Sequence, residues 1–363
     1  MENKDNIKFK TSLYDHHVNL NAKIVEFANY LMPINYDKGI KYEYESVRGN
    51  VGIFDVSHMG VFRISGVGAD LYLDRLLSND ISSLNHGEAI YSLLCNDKGG
   101  VIDDLIAYRI KDEYYLIVNA SNKTKDFHWL CNHKDDKVEI NDMSDSSSLL
   151  AIQGPNSRDK LEKIFNLQLS DLEFYHCKEI HINNESFFIA RTGYTGELGF
   201  EILGKSEAIN NIWDVMINSN VSPAGLAVRD VLRIEMGYCL YGHEISEDTN
   251  PLDASLSWII KKDRDFIGSN SIFNNPSQNS KLIFIKMMDR GIPREGFELF
   301  QGEQKIGEIT SGTFSYNLGT GVAIASIKKD IDNYSDITID IRGKKYKVLG
   351  SNRSFLINTS LRK

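Results

Sequence analysis

Cysteine is scarce in this 363-residue chain, and none of the four, Cys95, Cys131, Cys177 and Cys239, forms a C-x-x-C pair. That excludes zinc ribbons and thioredoxin-like motifs and leaves reduced, buried thiols as the expectation. Proline is nearly as rare, at six residues, so domain boundaries must be read from changes of pattern rather than from Pro-rich linkers. Internal repeats and low-complexity tracts are missing, and no apolar run approaches the length that spans a bilayer. The opening MENKDNIKFK has no arginine and leads into no apolar segment, so neither a secretory signal nor a transit peptide is expected and the cytoplasm is the expected compartment. Positive charge is in deficit: 41 Lys and Arg face 50 Asp and Glu, a formal net charge of -9. Nucleic acid is therefore not an expected partner, since its phosphates demand an excess of cations.

What is present is length and an ordinary core. The chain exceeds the size at which one hydrophobic core stops growing, and 42% of it is hydrophobic, so two or three domains are expected. Residues 67–130 read as an α+β module. ADLYLDRLLSN has helical spacing, AIYSLLCN and GVIDDLIAYRI are strands joined by DKGG, EYYLIVNA is a third strand, and SNKTKDFHWL is a helix opening on a Ser cap. A similar unit follows: SLLAIQGP as strand, NSRDKLEKIF as helix, residues 179–203 as a hairpin-like pair, and EAINNIWDVMINS as helix. From about residue 280 the pattern becomes short apolar strands between turns, which predicts a separate all-β barrel or sandwich.

Several stretches could carry chemistry. In GGVIDDLIAY, strand alternation sends Asp103 to one face with Val101, Leu105 and Ala107, and Asp104 to the other with Ile102, Ile106 and Tyr108. Both faces are otherwise apolar, so the strand is interior, and an interior carboxylate needs hydrogen bonds or a partner. Either acid could instead bond turn amides or pair with Arg109. RTGYTGELGFEI sets Glu197 among glycines that let the backbone approach something flat, and a carboxylate there can accept two N–H bonds from an amidine edge. A glycine-rich bulge with a surface Glu is the plain alternative. In PAGLAVRDVLRIEM, a helix beginning near Gly225 places Arg229 and Arg233 on one face. Arg229 near a helix start suits a carboxylate ligand, and a salt-bridge set of Arg229, Asp230 and Arg233 is the alternative. The pair Ser57–His58 has no nucleophile elbow, so His58 reads as a structural or wall residue. Asp15, His16 and His17 have no third ligand at a familiar spacing, and no metal site is expected.

Seven collinear blocks together say more. VRGNVGIFDVSHMG, AIYSLLCNDKGGVIDDLIAYRI, YYLIVNASNKTKDFHWL, AIQGPNS, RTGYTGELGFEI, GLAVRDVLRIEMGYCLYGHEI and ITSGTFSYNLGTGVAIA resemble the aminomethyltransferase, or T-protein, family of the glycine cleavage system in order, spacing and total length. The resemblance implies a three-domain, cloverleaf-like α+β architecture around a folate cavity. A first, folate-binding domain would comprise 1–50 with about 140–270, a second, ferredoxin-like domain 51–139, and a C-terminal β-barrel 280–363. It implies transfer of the one-carbon unit of an aminomethyl group, carried on the dihydrolipoyl arm of H-protein, to tetrahydrofolate. Ammonia is released and 5,10-methylenetetrahydrofolate formed, with no metal.

Carried over residue by residue, Asp103 in IDDL would be the catalytic aspartate, favouring the positive charge that develops as ammonia leaves and helping move a proton, while Asp104 would be scaffold. Glu197 in YTGE would bind the pterin edge and Arg229 in VRD the far end of the folate. Tyr91, Asn119 and Trp258 would line the cavity, and Arg294 in GIPRE would meet the approaching lipoyl arm. The segment KVLGSNRSFLINTSLRK departs from the family pattern, and no ligand contact maps onto it. Two rival readings share the fold. One is a tetrahydrofolate-dependent demethylase of a methylated sulfonium or amine. The other is a non-enzymatic folate-binding assembly factor, whose Lys-Gly-Cys-Tyr-like marker is missing from MGYCLYGHE.

Overall fold

Asn96 folds the chain back on itself. Its Oδ1 accepts the amides of Lys98 and Gly100 at 3.0 Å each, Gly99 takes φ +84°, and the strands Ala89–Cys95 and Val101–Ile110 pair antiparallel on either side. A Cβ at Gly100 would lie 1.7 Å from the Glu247 carbonyl oxygen, a backbone atom that cannot rotate away. Gly100→Ala should therefore destabilise the protein by about 1–3 kcal/mol, seen as a lower urea midpoint.

The computed structural model describes residues 8–274, 279–356 and 358–363. The hairpin lies in a five-stranded sheet ordered Ala89–Cys95, Val101–Ile110, Glu113–Val118, Gly60–Gly66, Val138–Asp142. Helices Ala69–Leu76 and Lys123–Asn132 cover one face, packing Tyr72, Leu73 and Leu130 on Phe62, Leu105 and Ala107. The other face, through Tyr108 and Ile117, shares a core with Phe54, Ala151 and Leu203 of a six-stranded sheet. That second sheet runs Cys177–Ile182, Glu185–Ala190, Gly199–Lys205, Ser147–Gln153, Gly52–Asp55, Ser222–Pro223. Helices Ser157–Phe165 and Ser206–Asn218 bury Leu161, Ile209 and Trp213 on its far side. A small sheet of Phe9–Lys10, Tyr30–Asn35 and Lys23–Phe27 completes the N-terminal part. The six strands Ser280–Met287, Thr320–Lys328, Gln304–Ser315, Glu298–Gln301, Ile337–Ile341 and Lys344–Ser351 close into a barrel around Ile283, Ile285, Leu299, Ile309, Ala325 and Ile339.

Four local expectations change. Residues 179–203 form parts of three antiparallel strands rather than a hairpin pair, with the glycine-rich segment 191–198 as the loop between the second and third. Gly52–Asp55, expected to open the second domain, is buried throughout and pairs with Ser147–Gln153 in the six-stranded sheet. Helix Lys123–Asn132 is preceded not by a Ser cap but by Asn122, whose side chain makes no cap bond. All four thiols are free, and Cys131 is exposed rather than buried. Among the described residues no helix is long and apolar enough to cross a membrane.

Helix Leu226–Met236 joins the parts. Buried Arg233 bonds Asp230, Glu244 and, on the barrel, Ser311, and Glu235 accepts from Tyr44, Arg48 and barrel Ser315.

Candidate active site

The two adjacent acids face different surroundings, as strand alternation requires. Asp103 points into the helix-covered face and is 0% exposed. Its Oδ2 accepts the Asn119 amide at 2.9 Å, and its Oδ1 accepts the side-chain amides of Asn119 at 2.9 Å and Asn122 at 2.5 Å. Asn122 thus donates its side-chain amide to the buried carboxylate, a charge-assisted bond, and its oxygen accepts no cap amide. Asp104 is half-buried on the opposite face. Its Oδ2 accepts the Tyr91 hydroxyl at 2.8 Å and its Oδ1 the Asn119 side chain at 2.8 Å. Burial first, and the negative charge of Asp103 second, push its carboxyl up to about 7. The sequence reading takes Asp103 as the catalytic acid and Asp104 as scaffold; in the structure helix Lys123–Asn132 closes over Asp103, while Asp104 lies on the Tyr91 face. Arg109 pairs with neither and donates instead to the Leu84 carbonyl.

Aromatic rings gather around Asp104. The Tyr91 ring stacks on Trp258 at 5.9 Å between centroids, and Trp258 is 64% exposed, an apolar plane offered to solvent. Tyr194 donates its hydroxyl to the Cys239 carbonyl, and the Arg229 guanidinium lies over its ring, 4.8 Å from the centroid. Arg229 Nη1 is buried and has no partner among the described residues, and burial lowers the guanidinium from its usual value. The alternative Arg229–Asp230–Arg233 set does not form among the described residues, since only Arg233 pairs with Asp230.

Glu197 is not a surface residue but 5% exposed. Its Oε1 accepts Arg48 Nη1 at 2.9 Å, and its Oε2 accepts the Ser360 amide at 2.8 Å and the Ser360 hydroxyl at 2.5 Å. Three of about four acceptor positions are thus filled, leaving room for one further donor. Arg48 also donates to the Thr195 carbonyl at 2.6 Å, so it holds both the carboxylate and its loop.

Residues 13–264 match the GCVT N-terminal domain, and residues 281–356 match the glycine cleavage T-protein C-terminal barrel domain. The chain belongs to the glycine cleavage T-protein family. An aminomethyltransferase of Chloroherpeton thalassium is 43% identical over 344 residues, covering 92% of this chain and 95% of its own. One of Thermotoga petrophila is 39% identical over 343 residues, covering 93% and 94%. The crystal structure of glycine cleavage system aminomethyltransferase T from Bartonella henselae superposes with a TM-score of 0.88 at 31% identity, over 96% of this chain and 97% of that one. The mixed α+β fold with a closed C-terminal barrel is the fold of this T-protein family.

Within that T-protein fold, His58 is buried. Desolvation, with Arg229 adding to it against the pull of Asp55, pushes its imidazole down to about 4, so it stays neutral and suits a wall. Arg294 is exposed and donates to the Gly312 carbonyl of the barrel at 3.3 Å. Among the described residues no His, Cys, Asp or Glu grouping could hold a metal ion. Sequence reasoning passed over Tyr194, Arg48, Asn122, Asp126 and Ser360. The first had a signal, an aromatic inside RTGYTGELGFEI, while the others are recognisable only by what they touch.

Proposed function

We propose that this chain transfers the one-carbon unit of an aminomethyl group, carried on the dihydrolipoyl arm of H-protein, to tetrahydrofolate, releasing ammonia and forming 5,10-methylenetetrahydrofolate. The observation that carries the reading is Asp104, a half-buried acid held between Tyr91 and Asn119 beside the aromatic group. Family membership supports the reaction class, and the residues fit a folate. Tyr91, Trp258 and Tyr194 offer ring faces, Glu197 keeps an acceptor position for a pterin N–H, and the unpartnered Nη1 of Arg229 suits the carboxylate tail. Bound tetrahydrofolate would supply the nitrogens that accept the one-carbon unit.

The chain's own residues then do three things. Asp104, poised near neutrality, takes a proton from the attacking nitrogen as a carboxylate, and its charge favours the positive charge that develops as ammonia leaves. Tyr91 and Asn119 fix the direction of its oxygens. Arg229 and Glu197 hold the two ends of the co-substrate, and Arg294 on the barrel is proposed to meet the lipoyl arm.

The test is a direct comparison of donors. The protein is mixed with tetrahydrofolate and either aminomethyl-loaded H-protein or dimethylsulfoniopropionate. Ammonia with 5,10-methylenetetrahydrofolate from the first mixture alone supports the proposal, while product from the second alone makes the chain a demethylase. In calorimetry Arg229→Met should weaken tetrahydrofolate binding roughly 10- to 100-fold, the worth of a charged hydrogen bond. Unchanged affinity would remove Arg229 from the site.

A further inference from the structure

Behind Asp103, on helix Lys123–Asn132, sits a second acid with no role so far. Asp126 is 0% exposed, and neither of its oxygens receives a hydrogen bond from an N–H or O–H donor of the described residues. It stands one turn along the helix from Asn122, its amide 2.8 Å from the Asn122 carbonyl, and the Asn122 side chain bonds Asp103, so the two carboxyls are neighbours in one buried layer. Two buried carboxylates cannot both be charged at contact, and only one of this pair is supplied with donors. Asp103 holds three N–H bonds and keeps the charge; Asp126 has only its own hydrogen to offer.

We propose that Asp126 is a permanently protonated acid donating to Asp103, and that this one-proton pair is a positioning device for Asp104. The pair maintains a fixed negative charge behind Asp104 and, through Asn119, fixes its orientation. The link is the Asn119 side-chain amide, which reaches Asp103 Oδ1 at 2.9 Å, Asp104 Oδ1 at 2.8 Å and the Asp104 carbonyl at 3.1 Å. Burial, and then the charge of Asp103, drive the Asp126 carboxyl far upward, which agrees with that geometry. The inference rests on Asp104 being the reacting acid.

Other groups also face Asp104. Tyr91 donates to it from the neighbouring strand, and Tyr194 and Cys239 approach from their loops, both kept neutral by burial. Positive charge comes from Arg229 and Arg233, which act on Tyr194, and from Lys125, which acts on Asp126. Asp103 is the negative charge that raises Asp104.

Infrared difference spectra of the folate-free protein against Asp126→Asn test the pair. A carbonyl stretch of a protonated carboxylic acid is expected at pH 8 and should be missing from the variant. Its absence at pH 8 from folded wild type would overturn the proposal. The acid limb of kcat/KM then separates a device from packing. Asp126→Asn keeps an N–H donor on Asp103, so its limb should stay within about 0.3 pH unit of wild type. Asp126→Leu removes the donor, Asp103 takes up the proton, the fixed charge is lost, and the limb should fall by about one pH unit or more. A limb unmoved in Asp126→Leu would also overturn the proposal. The infrared reading needs neither folate nor H-protein, so it holds whether or not the transfer assay succeeds or Asp126→Leu folds.

Discussion

Asp104→Asn should lower kcat by roughly two to four orders of magnitude, the usual worth of a positioned acid or base, while tetrahydrofolate affinity stays within about threefold. The amide keeps the size of the side chain and can still accept from Tyr91 or Asn119, so fold and binding survive. What is lost is the charge and the exchangeable proton. Wild-type kcat/KM should fall as pH drops through about 7, where Asp104 takes up its proton, and the residual rate of the variant should be flat there. Stability carries the opposite sign. An acid raised in the folded state binds more protons folded than unfolded above the usual carboxylate range, so it costs stability as pH rises from about 4 to 7. Asp104→Asn should remove that cost and leave Tm at pH 8 equal to or above wild type. Wild-type kcat in this variant would return the chemistry to another group.

The largest loss of stability should follow Arg48→Met. Arg48 stands between two buried carboxylates, 2.9 Å from Glu197 and 2.6 Å from Glu235, and its side chain is only 10% exposed. Taking away one partner of a buried ion pair leaves a charge without compensation, at roughly 3–5 kcal/mol. Both carboxylates then lose a donor, although Ser360 still serves Glu197 while Tyr44 and Ser315 serve Glu235. Chemical denaturation should show the drop. Folate affinity should fall with it, because Arg48 also holds the Thr195 carbonyl in the loop before Glu197. A midpoint within about 0.5 kcal/mol of wild type would mean that the network relaxes without Arg48.

Much of this was legible because it is local. The barrel reads in sequence as short apolar strands between turns, and the opposed faces of Asp103 and Asp104 follow from a period of two. Which face would be covered was not local, since helix Lys123–Asn132 decides it. The register held a usable clue. Tyr91 stands opposite Ile106 and Leu93 opposite Asp104, which puts Tyr91 on the face of Asp104. A reading that gave Tyr91 to the cavity therefore implied Asp104 as well. Arg229 was singled out through a helix start, a short-range signal. Asp126 looked like an ordinary first-turn acid, which suits a helix N-terminus in solvent; only its burial over Asp103 makes it unusual.

Ser360, which caps Glu197, follows it by 163 residues. At roughly 5–20 residues per second, a ribosome needs about 10 to 30 s to pass from one to the other. Throughout that interval the nascent chain can hold Glu197 by Arg48 alone, even with every earlier sheet complete. The Glu197 side of the site is therefore finished last, after the barrel, and a chain stalled inside the barrel would carry Asp104 in place but a half-secured Glu197.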